Sequence, residues 1–112
     1  MSTATRPILV HIDFPHAGPW GAALADACAG LARSIATEPG LRWKAWLEDE
    51  AAGRAGGAYL FDSREAAERY LAMHRERLAQ WGITGLRVVI SEVNLPLSGI
   101  TGLPLPGTAV AA

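Results

Sequence analysis

A single cysteine, Cys28, is the only thiol in this 112-residue chain. It can close no intrachain disulfide, and a lone thiol fits a reducing compartment. An excess of charge is missing too: 10 Lys and Arg stand against 11 Asp and Glu, for a formal net charge of −1. That balance offers no electrostatic footprint for nucleic acid or an anionic membrane. No uncharged apolar run is long enough to cross a bilayer. The segment Met1–Pro7 is polar and holds no apolar h-region, so the expectation is a soluble, cytoplasmic protein without a secretory signal. Zinc-ligand spacing and Ser/His/Asp nucleophile motifs are absent. The run Gly53-Arg54-Ala55-Gly56-Gly57 lacks the G-K-[ST] ending and precedes a strand, so it is no phosphate loop. Its paired glycines are expected to mark a bulge or a tight hairpin exit.

Half the residues are hydrophobic and 19% are charged, which suits one globular domain over residues 1–112 with its core at about 8–93. Ile8, Val10, Ile12 and Phe14 alternate with Leu9, His11 and Asp13, which is the period of a strand. After a Pro15–Pro19 loop, Trp20, Leu24, Ala27, Leu31 and Ile35 recur at helical spacing, with Pro19 suited to the first turn. Glu38-Pro39-Gly40 ends that helix, and Leu41–Glu48 reads as a second strand. Asp49–Gly57 reads as the hairpin connection and Ala58–Phe61 as the heart of a third strand. Asp62 or Ser63 caps the next helix, whose inner stripe is Ala67, Leu71, His74, Leu78 and Trp81 and whose end is Gly82. Leu86–Val93 is the fourth strand, and no regular element fits the Pro- and Gly-rich but apolar tail, 94–112.

The order β-α-β-β-α-β is the ferredoxin-like, α+β arrangement: a four-stranded antiparallel sheet with two helices on one face. An antiparallel sheet with one wet face should alternate apolar and polar residues. Here Trp43 and Trp46 fall on opposite faces of one strand, and Val88 and Ile90 oppose Val89 and Val93 on another. Two helices cover only one face, so the expected cover for the other is a second copy of the chain, in a homodimer with its sheets packed face to face. Long polar side chains shielding that face are the alternative.

Several constellations bear on chemistry. His11 and Asp13 share one side of a strand and, with a distant histidine such as His74, match the ligand set of a non-haem iron triad. The plain alternative is a polar strand face. His74 lies between Leu71 and Leu78 on an inner helix stripe, where it is a hydrogen-bonded core residue, a proton shuttle or a haem ligand. Trp20, Trp43, Trp46, Tyr59, Tyr70 and Trp81 at core spacing suit a core, or the walls of a site for a flat aromatic ligand. Cys28, beside the apolar stripe of the first helix, reads as a buried, inert thiol. His16 stands alone in the first loop and has no assigned role.

A set of short runs in order resembles the YdhR-like mono-oxygenase family. They are Gly18-Pro19-x-Gly21, Ser34-Ile35, Glu38-Pro39-Gly40, Trp43-Lys44-x-Trp46, Gly56-Gly57-x-Tyr59-Leu60-Phe61, Tyr70-Leu71-x-x-His74-x-x-Arg77-Leu78 and Val93-Asn94-x-Pro96-Leu97-Ser98-x-Ile100. The likeness covers roughly Phe14 to Ile100. It implies a dimeric α+β barrel of the antibiotic-biosynthesis mono-oxygenase superfamily, with the apolar tail packed into the dimer. It also implies oxidation of a small aromatic or quinol substrate by O2 with no metal, flavin or other cofactor. Such chemistry needs a flat apolar cavity, a proton acceptor and donors that hold the anion. Residue chemistry nominates His74 as the base and Tyr59, Asn94 and Arg77 as donors, with Trp43, Trp46 and Tyr70 as walls. The rivals are a haem-binding or haem-degrading member of the superfamily and a non-catalytic, aromatic-ligand-binding dimer.

Overall fold

The computed structural model describes residues 6–104. Its elements are β1 (Ile8–Pro15), α1 (Gly21–Ala36), β2 (Leu41–Asp49), β3 (Arg54–Phe61), α2 (Arg64–Gln80), β4 (Arg87–Glu92) and a short α3 (Leu95–Ile100). The four strands form one antiparallel sheet in the order β2-β3-β1-β4. This is the ferredoxin-like α+β architecture.

Register assigns the faces. Ile8 pairs with Phe61 and Glu92, Val10 with Tyr59 and Ile90, Ile12 with Gly57 and Val88. These rows point toward α1 and α2 and meet Ile35, Ala66, Ala67, Tyr70 and Leu71 in the core. The opposite face carries Leu9, His11 and Asp13 of β1 beside Leu60, Ala58 and Gly56 of β3.

Helix α2 is well specified at both ends. Ser63, rather than Asp62, is the cap, and its hydroxyl accepts from the Ala66 N–H at 3.1 Å. Asp62 instead pairs with Arg42. At the far end Gly82 takes φ 77°, donates to the Ala79 carbonyl at 3.0 Å, and lets Ile83 donate to Leu78 at 3.0 Å. That pair of bonds is a Schellman ending, which favours glycine at this place.

The structure revises five boundary readings. Strand β3 begins at Arg54, so the hairpin connection shrinks to Glu50–Gly53. Gly56 and Gly57 lie inside regular ladders and mark no bulge; the irregularity sits between Leu41 and Trp43. The glycines are needed because the strands approach closely. A Cβ on Gly56 would stand 1.9 Å from the Ile12 carbonyl oxygen, and one on Gly57 2.6 Å from Lys44 Cε.

Pro19 and Trp20 precede α1 rather than opening it, and Trp20 caps with backbone alone. The carboxylate of Glu48 in β2 supplies the missing acceptor, taking the Gly21 N–H at 2.9 Å. Trp81 is the C-cap of α2 and 54% exposed, not part of the buried stripe. Finally, the tail does contain a regular element: Asn94 Oδ1 accepts from Leu97 N–H at 3.1 Å and caps α3, with Pro96 in its first turn. Leu105 and the rest of the tail expected to pack into a dimer lie outside the described residues.

Candidate active site

A cavity of about 370 Å³ lies between α1 and the helix-facing side of the sheet. Its floor is Ile12, Phe14, Ala55 and Tyr59, with Lys44 and Trp46 from β2. Leu24, Ala25, Cys28, Leu31 and Ala32 of α1 form the roof, and His74 and Leu78 of α2 close one end. His16, Glu48 and Trp81 contribute to the rim. The volume falls in the range of roughly 300–1,000 Å³ usual for small-molecule sites, and the few polar groups in a mostly apolar wall are their usual chemistry.

Local sequence explains the roof. Alanine occupies much of α1, and only Ile35 is buried there. Small side chains cannot fill the gap to the sheet, so the helix rests on Ile35 at one end and on the Glu48–Gly21 bond at the other. The expectation of a buried Cys28 is corrected accordingly: it is half-buried and stands on the cavity wall.

Beside the cavity is an aromatic layer. The Tyr59 ring lies 5.3 Å from Tyr70 and 6.1 Å from Phe61, and Tyr70 stacks on His74 at 4.9 Å. The Tyr70 hydroxyl donates toward that of Tyr59 across 3.5 Å. Burial pushes both phenols above the usual tyrosine range, Tyr59 most, so both remain neutral. Tyr59 reaches the cavity; Tyr70 is sealed behind it as core.

His74 is 3% exposed. Burial, with Arg77 and Lys44 nearby, holds its pKa down at about 3. Arg77 donates to His74 Nδ1 from both Nε, at 3.2 Å, and Nη2, at 2.9 Å. Because arginine only donates, Nδ1 is the unprotonated nitrogen and Nε2 carries the proton. This corrects the assignment of His74 as base: the one lone pair of the neutral ring is already engaged. The same bond counts against an axial haem ligand, which normally donates its other ring N–H. His74 is instead a neutral donor. Arg77 positions it and does not line the cavity.

Lys44 is the residue that the sequence reading passed over. Its Nζ lies 3.3 Å from the centroid of the Trp46 ring and 4.6 Å from that of Tyr59. Burial, reinforced by Arg77 and opposed by Cys28, lowers its pKa to about 7. A signal was present, since Lys44 alternates with Trp46 and Glu48 on one strand face.

The structure separates the other nominated residues. Trp46 lines the cavity. Trp43, on the opposite face, borders a shallow depression with Ser98, Thr101 and Leu103. Asn94 is spent on capping α3 and is not at the cavity. The iron triad fails on geometry: His11 and Asp13 lie on the face away from His74. Asp13 is also occupied by the guanidiniums of Arg54 and Arg87, which hold its carboxyl below the usual range. Among the described residues no three His, Cys, Asp or Glu side chains are grouped to hold a metal ion.

A family model described as "Putative mono-oxygenase ydhR" matches residues 9–104. No curated protein matches the chain. Among solved structures, a putative antibiotic biosynthesis monooxygenase from Deinococcus radiodurans superposes with a TM-score of 0.58 at 17% identity, covering 78% of this chain and 92% of that one. The NE2512 protein of unknown function from Nitrosomonas europaea gives 0.63 at 15% identity, covering 95% and 100%. SnoaB, a cofactor-independent oxygenase from Streptomyces nogalater, gives 0.58 at 14% identity, covering 80% and 95%. At such identities the likeness speaks for the fold.

Proposed function

The chain belongs to the ydhR family, described as putative mono-oxygenases, and on that premise we propose that it oxygenates a small aromatic or quinol-type substrate without a bound cofactor. The observation that carries this reading is the cavity itself: apolar walls, aromatic floor and a few polar groups fixed by neighbours. In such a reaction the substrate supplies all the electrons. A ring methylene beside a phenol gives two hydrogens and receives one oxygen atom of O2 as a carbonyl, and the other oxygen atom leaves as water. The protein's part is to bind the flat ring, exclude water and stabilise the anion that O2 attacks. Trp46 and Tyr59 flank the ring's position, and His74, held neutral by Arg77, serves as a donor to the substrate oxygen.

The test is oxygen uptake by the purified protein on anthrone and quinol substrates, against boiled protein and with a chelator present. Protein-dependent uptake that survives the chelator is expected. Loss of uptake with the chelator would overturn cofactor independence. Saturable tryptophan quenching without uptake would favour the ligand-binding reading.

The second copy belongs to the same proposal. The face away from the helices carries Val89, 57% exposed, and the segment after β4 adds Leu97 and Ile100, 63% and 81% exposed. On that face the buried Trp43 Nε1 has no hydrogen-bond partner among the described residues. Exposed apolar area of this kind is uncommon on monomers. A homodimer covers it, and light scattering at micromolar concentration reading a monomer mass would overturn that.

A further inference from the structure

Four of the titratable side chains at the cavity already have hydrogen-bond partners. Glu48 accepts from the Gly21 N–H. The neutral Tyr59 meets the Tyr70 hydroxyl, and His74 accepts from Arg77. His16 Nε2 is bonded to the Pro19 carbonyl at 2.9 Å. Lys44 has only ring faces: among the described residues no carboxylate forms an ion pair with it and no acceptor takes its N–H groups. The groups facing it are Cys28 from α1, His74 and Arg77 from α2, Tyr59 from β3, and Trp46 beside it on β2. None is a fixed anion. An amine so placed, on the floor of an apolar cavity with the Arg77 guanidinium behind it, lacks an anionic partner.

We propose that the cavity takes its aromatic ligand as a phenolate, with Lys44 accepting the phenolic proton and holding the anion as an ammonium ion. The step is a proton transfer alone: the O–H bond breaks, an N–H bond forms, and no electrons leave either partner. It deepens the reading of the cavity as the substrate site, and it assigns the acceptor role that His74 is not free to fill. The substrate class narrows to phenols acidic enough to exchange a proton with an amine titrating near neutrality. Neutral hydrocarbons and cationic aromatics are disfavoured.

Binding, measured without turnover, tests this. The probes are 4-nitro-1-naphthol, a coloured phenolate at about pH 8, and its methyl ether, a neutral molecule of nearly the same shape. Affinity is read from tryptophan quenching and the anion from its own absorbance. Wild-type protein should prefer the phenolate by about tenfold or more, and Lys44→Met should erase that preference while leaving the ether unchanged. Because an arriving anion draws a proton onto the amine, calorimetry in buffers of different ionisation enthalpy at about pH 8 should show uptake of about one proton per phenolate bound. Lys44→Arg, which is charged already, should keep the preference and lose the uptake. Equal affinity for the two probes, a preference that survives Lys44→Met in a protein with an unchanged circular dichroism spectrum, or no proton uptake by wild type would each overturn the proposal. Lys44-dependent phenolate binding with no oxygen uptake on any substrate would leave it standing and remove the oxygenase reading instead.

Discussion

The two long helices cover the same sheet face and do opposite things there. Helix α2 carries seven charged residues, yet buries Ala66, Ala67, Tyr70, Leu71, His74 and Leu78 against the strands. Helix α1 carries only Asp26 and Arg33 as charges, and buries Ile35 alone. Apolar content therefore does not decide which helix packs. Side-chain size along the inner stripe does. The tyrosine, leucines and histidine of α2 reach the sheet, whereas Ala25, Cys28 and Ala32 of α1 fall short and, with Leu24 and Leu31, roof a cavity. One helix makes the fold and the other makes room.

That contrast is open to direct attack. The largest effect is expected on the packed side. Leu71→Ala removes a buried side chain that has no solvent to relax into and should cost about 2–5 kcal/mol of folding stability. Leu24→Ala deletes the same atoms from α1, but at a wall already facing open space, and should cost below about 1 kcal/mol. Denaturant midpoints of the two variants check both, and equal losses would mean that α1 packs as tightly as α2.

A smaller, graded effect is expected from pH. Lys44 is lowered from 10.5 to about 7 and His74 from 6.5 to about 3. In each window the unfolded chain binds a proton that the folded chain does not. Stability should therefore rise with pH from about 3 to about 6.5 through His74, and from about 7 to about 10.5 through Lys44. The limiting slope for one such group is about 1.4 kcal/mol per pH unit. Above the normal tyrosine value of 10.0 the sign reverses, because Tyr59 and Tyr70 ionise in the unfolded chain first. Lys44→Met should flatten the alkaline limb and leave the acid limb intact, as read from urea unfolding across pH. A steep alkaline limb in that variant would mean that Lys44 is not the group that titrates there.

The smallest effect is at the roof's tether. Glu48→Gln keeps the size of the side chain but weakens the acceptor at the α1 N-terminus, and should cost about 1 kcal/mol or less. Hydrogen exchange should speed in the first turn of α1 and stay unchanged in α2. Exchange that speeds equally in both helices would show that they open as one unit.

The sheet and both long helices were legible in the sequence because each rests on a repeating pattern. Ile8-Val10-Ile12-Phe14 has the strand period, and Leu71-His74-Leu78 the helix period. The short α3 was not, since six residues are too few for a period and only the Asn94-x-Pro96 start signals it. The site was legible only in part. His74, Trp46 and Tyr59 do meet at the cavity, but Trp43, Asn94 and Tyr70 do not line it. The register irregularity between Leu41 and Trp43 explains why the β2 face was ambiguous. Leu41 pairs with Phe61 and Lys44 with Tyr59, both on the helix side, although strict alternation would put residues three apart on opposite faces. One slipped residue turns Lys44 and Trp46 inward and Trp43 outward, and no side-chain pattern announces it. The role of His74 was hidden for a different reason. Its spacing gives its burial, but its tautomer is fixed by Arg77, one helical turn along.

The empty place at Gly57 reaches further than the strand that holds it. The Lys44 stem lies where a methyl on Gly57 would stand, so the resting position of the ammonium group is set by a residue with nothing to offer chemically. A methyl there would meet the Ala45 carbonyl oxygen at 2.9 Å and displace the Lys44 stem, although Gly57 does not itself line the cavity. If the cavity binds a phenolate as proposed, ligand preference would depend partly on this neighbour outside the cavity lining. Comparing only cavity-lining residues among relatives would miss where that preference changed.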